Sequence, residues 1–392
     1  TWTPRDSDRK WSAVASSADG ARLAATVEGD KVYVSTDAGA TWTPKGAGGN
    51  WKAIASSADG SKLIAAIGGG QIMLSPDGGE TWTASGALAD GAGEIGNRNW
   101  AAVASSSDGS RLAAAESGGQ VYSSSDSGAT WRRHESGRRE WNALAMSADG
   151  SILIAAPLQG FMATSKDGGA SWIGFSHGTS FNFAGVACSA DGKRVVAVNQ
   201  IRETPAFEGR AGQVFCSEDS FETYSERQIT PSRPGAFGRN DSKNWQSLPP
   251  DTPETYASPR SWLSVASSAD GTKMVAVAGA SNGLVFKVGG FQNIPPVDAW
   301  FRTAVTGTDF IYTSSDSGVS WTPRGQSRRW ISVASSSDGT KLIAADIGGK
   351  LYTSTDSGET WTPRETDRLW YSVASSSDGS KLVAVVTGGQ IY

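Results

Sequence analysis

The sequence is poor in the residues that most often build reactive centres. Its 392 residues include two histidines, two cysteines and four methionines. His134 and His177 have neither a Ser/Asp context nor metal-ligand spacing, so both read as surface residues with ordinary partners. Cys188 and Cys216 are too few for a disulfide framework. They fall on a predicted first and third strand that a second strand should separate, so thiols are expected. There is no phosphate-binding P-loop and no dinucleotide fingerprint. No apolar run approaches about 18 residues, so no transmembrane segment is expected. Neither a cofactor, a metal nor a nucleic-acid partner is expected.

Abundance points elsewhere. Hydrophobic residues make up 38% and glycine 48 positions, alongside much Ser, Ala, Asp and Thr. That mixture suits short strands joined by tight turns. The chain begins at Thr1 without Met or a signal peptide, as a mature secreted form or a trimmed chain would. An extracellular, cell-surface or periplasmic location is the expectation.

The dominant feature is a repeat of about forty residues, best seen at 330–364. Nearly the same text starts again at Trp11, Trp51, Trp100, Trp141, Trp262 and Trp370, and more weakly at Phe183. Within 330–364, a first strand at 330–335 is broken by Ser337-Asp338-Gly339, and Asp-Gly between apolar runs is a hairpin signal. A second strand at 341–345, Gly348-Gly349, a third at 350–354, a turn at 355–359 and a fourth at 360–363 follow. Four antiparallel strands per forty residues describe one propeller blade.

The turn Ser354-Thr355-Asp356-Ser357-Gly358-Glu359-Thr360-Trp361 recurs at 35–42, 75–82 and 124–131, and with Ser for Thr at 165–172 and 314–321. A degraded copy, with Phe221 and Tyr224, lies at 217–224. This pattern resembles the Asp-box, or BNR, repeat of sialidases and related β-propellers. The resemblance implies an all-β propeller in which Asp37, Asp77, Asp126, Asp167, Asp316 and Asp356 shape turns and carry no chemistry. A short Asp accepts N–H bonds inside its own turn, Gly supplies positive φ, and Trp packs between sheets. The sialidase catalytic pattern is missing. Its early F-R-I-P segment has only the late Phe301-Arg302-Thr303-Ala304 as a counterpart, so no catalytic residue is assigned.

Eight unit starts predict eight blades in a single domain spanning 1–392. The last unit ends after its third strand, and Thr1-Trp2-Thr3-Pro4 matches the missing fourth, so the N-terminal strand is expected to complete it and close the ring. Insertions interrupt the period at 84–99, 199–212, 225–261 and 279–308. Each follows either a second or a fourth strand, which places all four on one face, where binding loops commonly sit.

Charge divides along the same axis. The formal charge is −4, yet the two sets of Asp turns, even with the basic residues beside them, are more negative than that, leaving the remainder of the chain net basic. Arginine stands two residues before the unit's Trp at Arg9, Arg98, Arg139, Arg260, Arg328 and Arg368. A crown of guanidinium groups would suit carboxylates, sulfates or phosphates. Alternatively the arginines stack on Trp and pair with Asp6, Asp8, Glu135, Glu140, Glu365 and Asp367. Trp245, Tyr256, Trp300 and Phe301, on the insertions, could stack on sugars or anchor a partner.

These readings favour a non-catalytic binding or scaffold propeller that recognises a polysaccharide or a partner protein through the inserted-loop face. Some assembly factors of photosynthetic membranes resemble this plan. Two alternatives stand beside it. One is a glycoside hydrolase drawing carboxylates from Glu203, Glu208, Asp241, Asp251, Glu254 and Asp298. The other is a structural subunit of an extracellular assembly.

Overall fold

A computed structural model describes residues 2–89, 91, 93, 95–134, 136–174, 181–200, 212–220, 225–227, 260–280 and 308–392. All regular structure among them is β-strand. Each unit is an antiparallel meander, as the alternation of apolar runs with Asp-Gly and Gly-Gly turns requires. In the seventh unit Trp330–Ser335 pairs with the first half of Leu342–Ser354, whose second half pairs with Thr362–Ser375. Thr362–Ser375 then runs on without a break to become the first strand of the eighth unit.

A β-bulge follows the opening aromatic residue in all eight units, between Trp11 and Ala13 and at the equivalent places up to Trp370 and Ser372. A bulge re-aims a side chain without ending the strand. Here it accompanies burial of the ring: Trp11, Trp51, Trp100, Trp141, Phe183, Trp262, Trp330 and Trp370 are all at most 3% exposed.

The core is divided into packets between consecutive units. Trp51 joins Leu63 and Ala65 of its own unit to Val32 and Val34 of the one before. Trp330 meets Val275 and Val277 in the same way, and Trp370 meets Ile343 and Leu351. Trp11 packs with Val383, Val385 and Ile391, so the first unit rests on the eighth. Among the described residues, the packet between the fourth and fifth units contains no tryptophan; Phe183, Phe215 and half-buried Phe181 fill it. Removing one such ring would cost about 3–5 kcal/mol.

The Asp-Gly turns supply a second link between units. Ala18 N–H donates to Ala58 O, Ala58 to Ser107, Ser107 to Ala148, Ala148 to Ala190, Ala190 to Ala269, Ala269 to Ser337 and Ser337 to Ser377. Ser377 N–H then donates to Ala18 O, which returns the series to its start. These bonds measure 2.6 to 2.8 Å. Side chains reinforce them: Lys341 Nζ donates to Asp378 O at 2.8 Å, and Arg194 Nη1 to Asp270 O at 2.7 Å. Arg22, Lys62, Arg111, Lys273 and Lys381 lie against the next unit's turn glycine, and Ile152 takes that place over Gly192. The strand Arg5–Ser16 pairs with Leu382–Ile391 through Arg5↔Ile391, Arg9↔Gly389 and Lys10↔Thr387. Half-buried Trp2 joins the packet between the seventh and eighth units.

Amide hydrogen exchange tests the turn circuit. The amides of residues 18, 58, 107, 148, 190, 269, 337 and 377 should exchange as slowly as strand interiors, although they sit in turns. Open-turn exchange rates at these positions would contradict the circuit.

Candidate functional site

At one end of the units, the acidic turns are chemically saturated. In the copy at 35–42, Asp37 Oδ1 accepts from Ser35 Oγ at 2.7 Å and Thr41 N at 2.8 Å, and Oδ2 accepts from Thr41 Oγ1 at 2.6 Å. The same contacts recur at Asp77, Asp126, Asp167, Asp316 and Asp356. The Trp that closes the turn donates to its own glycine carbonyl, as Trp361 does to Gly358 at 2.9 Å. Bonds from Thr41 and Ser35 hold Asp37 down to about 2, and bonds from Thr360 and Ser354 do the same to Asp356. A carboxylate tied up in this way is a turn brace, with no lone pair directed at a substrate.

The opposite end is built from blade-to-blade connectors lying against the turns between second and third strands. Gly68 and Gly70 pair with Asn99 and Arg98, Gly119 with Arg139, Asp309 with Arg328, and Gly349 with Arg368. This register sets each arginine beside a third strand. Arg9 Cζ lies 4.2 Å from the ring centre of Tyr33, Arg98 5.0 Å from Tyr122, Arg328 4.7 Å from Tyr352 and Arg368 4.8 Å from Tyr392. Tryptophan is the expected stacking partner, but among the described residues only Arg139 stacks on one, at 5.2 Å from Trp141. The connector carries the guanidinium past its own unit's Trp, and the Tyr is interposed edge-on. Trp–Tyr ring centres are 5.1 to 5.4 Å apart in five units.

Most of these guanidinium groups also have polar partners. Arg9 bonds to Asp6 at 2.9 Å and Asp30 at 3.2 Å. Arg98 donates to Ile95 O at 2.6 Å and meets Glu116 at 3.5 Å. Arg328 donates to Gln326 at 2.6 Å and meets Asp346 at 3.7 Å. Arg139 donates to Phe161 O, and burial lowers its pKa. Of the acids anticipated from the sequence, Asp6 is the one that pairs with a crown arginine among the described residues. Asp30, Glu116 and Asp346, on the second-to-third-strand hairpins, carry no signal in a repeat alignment centred on Trp. Burial raises the pKa of Asp346 despite Arg328 and Arg329. Burial and the Asp30 bond push Tyr33 up to about 12.

Other candidates fall in different places. Trp245, Tyr256, Trp300, Phe301, His177 and the side chain of Arg260 lie outside the described residues, as do nearly all of 199–212, 225–261 and 279–308. Within 84–99, the strand Ala87–Leu88 pairs in parallel with Thr130–Arg133, and Leu88 and Ile95 are buried against Trp100 and Trp131. This segment covers the outer strand of the third unit.

His134, expected at the surface, is buried instead. It stands where three other units have Lys45, Arg324 and Arg364, and its Nε2 lies 2.7 Å from Ser123 Oγ. Burial, with Arg132 nearby, lowers it to about 4. Cys188 and Cys216 sit on first and third strands separated by Val195–Gln200, and burial raises the Cys188 thiol to about 12. The best-formed cavity among the described residues has a volume of about 10 Å³, and no cluster of His, Cys, Asp and Glu there could hold a metal.

No family model and no curated protein matches the sequence. Among solved structures, YCF48 bound to D1 peptide is 12% identical with a TM-score of 0.53, over 99% of this chain and 94% of that one. The computationally designed Ika8 protein is 10% identical with a TM-score of 0.63, over 99% and 97%. The β-propeller domain of Myceliophteria thermophila Cps50 (Swd1) is 14% identical with a TM-score of 0.51, over 88% and 96%. These likenesses show the fold.

Two measurements follow. A group whose folded pKa is depressed binds fewer protons when folded, so stability falls as pH drops from its unfolded value towards its folded one. For His134 that window runs from about 6.5 to about 4. A His134→Gln variant should lose part of the decline in Tm across it, worth about 1 kcal/mol or more; an unchanged pH profile would contradict neutral burial. In the turn, Ser357 has φ 58° and Gly358 φ 87°. Ser357→Gly should leave stability within about 0.5 kcal/mol or improve it, whereas Gly358→Ala should cost more than about 1 kcal/mol, because its Cβ would strike Thr313. Equal effects would refute the backbone argument.

Proposed function

We propose that the chain is a non-catalytic recognition propeller of eight blades. In this reading, residues 1–4 complete the eighth blade and a partner protein is held on the connector end. The closure is supported by the hydrogen-bond series that returns from Ser377 to Ala18 and by the packing of Trp11 on Val383, Val385 and Ile391. On this reading the acidic turns are Asp boxes, which brace the scaffold and leave recognition to the other end.

The carrying observation is the division of charge between the two ends. The Asp carboxylates are braced by their own turns, while Arg138 and Arg364 are exposed, and Arg5 and Arg329 half-buried, on the connectors. An acidic partner would be steered to that end and oriented there. On this reading the insertions at 199–212, 225–261 and 279–308, which interrupt the sequence between second and third strands or between fourth and first, belong to the same end. The D1 peptide in the YCF48 structure supports a protein partner for a scaffold of this shape.

The test uses the immobilised full chain against native extract and a glycan panel. Reversing Arg5, Arg138 and Arg364 to Glu should weaken protein capture at least about tenfold, and raising salt should weaken capture by the unaltered chain. Capture indifferent to both changes would refute the charged face as the recognition surface. Glycan binding that survives the reversal would favour polysaccharide as the ligand.

A further inference from the structure

Tyrosine occupies one third-strand position in five units, as Tyr33, Tyr122, Tyr312, Tyr352 and Tyr392. All five units also have arginine two residues before the first-strand Trp. Where the Tyr is replaced by Met73 or Phe215, the arginine is replaced as well, by Gly49 or Phe181; the fourth unit departs from this, with Ala163 in place of Tyr and Arg139 retained over Trp141. In four of the five, an acid stands three or six residues before the Tyr: Asp30, Asp309, Glu116 or Asp346.

These acids show what the pair binds. Asp30 Oδ2 accepts from Tyr33 Oη at 2.9 Å and from Arg9 Nη1 at 3.2 Å. Glu116 Oε2 accepts from Tyr122 Oη at 3.2 Å and from Arg98 Nη1 at 3.5 Å. In each case one carboxylate oxygen bridges a phenol and a guanidinium. Asp309 accepts from Tyr312 Oη at 3.0 Å, and Asp346 lies 3.7 Å from Arg328.

In the eighth unit the two acid positions hold Val386 and Gly389. The pair itself is in place, with Arg368 4.8 Å from the centre of the Tyr392 ring. Tyr392 is 8% exposed and its hydroxyl has no hydrogen-bond partner; Arg368 Nε is also buried and unpartnered. Burying such donors unpaired is costly, and a charged donor more so. Asp8 and Glu365 are the acids whose charge reaches Tyr392, and neither bonds to it or to Arg368. The indole N–H of Trp370 is unpartnered too, but so are those of Trp100, Trp141, Trp262 and Trp330, so it does not mark this unit.

We propose that Arg368 and Tyr392 form a carboxylate-binding subsite, filled by an acidic side chain of the partner protein where the other units use an acid of their own. The identity of the bearer rests on the protein-recognition reading above; the subsite rests on its own geometry. Carboxylate is favoured over larger anions because every occupant of the equivalent position in this chain is a carboxylate.

The test titrates the full chain with acetate and with a tetraglutamate peptide capped at both ends. Arg368→Gln and Tyr392→Phe should each weaken peptide binding, Arg368→Gln by about tenfold or more. Val386→Glu should abolish binding and raise Tm, since Trp370↔Val386 has the register of Trp100↔Glu116 and an internal acid would take the site. Glu116→Ala should open a second site and raise the stoichiometry. Affinity within twofold of the parent in every folded variant overturns the proposal, as does binding that appears only after Glu365→Gln, which would make Glu365 the resident acid. If peptide and acetate respond to Arg368→Gln but partner capture does not, the subsite stands and a small carboxylate is its ligand. In that case the partner protein is held elsewhere on the connector end; the protein-recognition reading itself fails only if the unaltered chain captures no protein.

Discussion

The hydrogen bond from one Asp-Gly turn to the next is the contact on which the remaining architecture depends. A single four-stranded meander of forty residues has two apolar faces and cannot bury either alone. The Trp-centred packets bury them, but packing alone tolerates sliding. A backbone bond at the same residue of each turn fixes the distance and angle between neighbours. The series runs back from Ser377 to Ala18, so each of these turns donates to one neighbour and accepts from another. The bulge after each opening aromatic residue belongs to the same arrangement, because the ring can then enter the gap between units while the strand keeps its pairing.

This rigidity separates two kinds of acidic residue. Asp37 and its counterparts engage both carboxylate oxygens within their own turn, which is why their acidity is enhanced. Asp30, Glu116 and Asp346 do the reverse and reach across to a basic residue of the connector. Both groups would look alike in a composition count. Only the second belongs to the surface where units differ from one another.

The meander, its turns and its unit boundaries were legible because each is a local pattern repeated many times. Period, Asp-Gly and S-x-D-x-G-x-T-W act within a few residues. What escaped depends on contacts between positions whose spacing is not written in the repeat. The Tyr beneath Arg9, Arg98, Arg328 and Arg368 is a partner across strands, and where an acid joins the pair it stands at either of two offsets, so no single alignment column shows it. His134 read as a surface residue because nothing within a few positions indicates that Ser123 on the adjacent strand would enclose it. The segment 84–99 looked like a displayed loop because its pairing partner, Thr130–Arg133, lies a full unit later.

The junction between the fourth and fifth units has an optical consequence. Its packet is assembled from Phe181, Phe183 and Phe215, with Ile152 over the facing turn where neighbouring junctions use a cation. Among the described residues no indole lies in that packet, so their emission reports on the other seams. A molecule opening there first would lose circular dichroism while its fluorescence stayed native. One opening at a tryptophan-bearing junction would change both together, so the lag between the two signals identifies which seam yields.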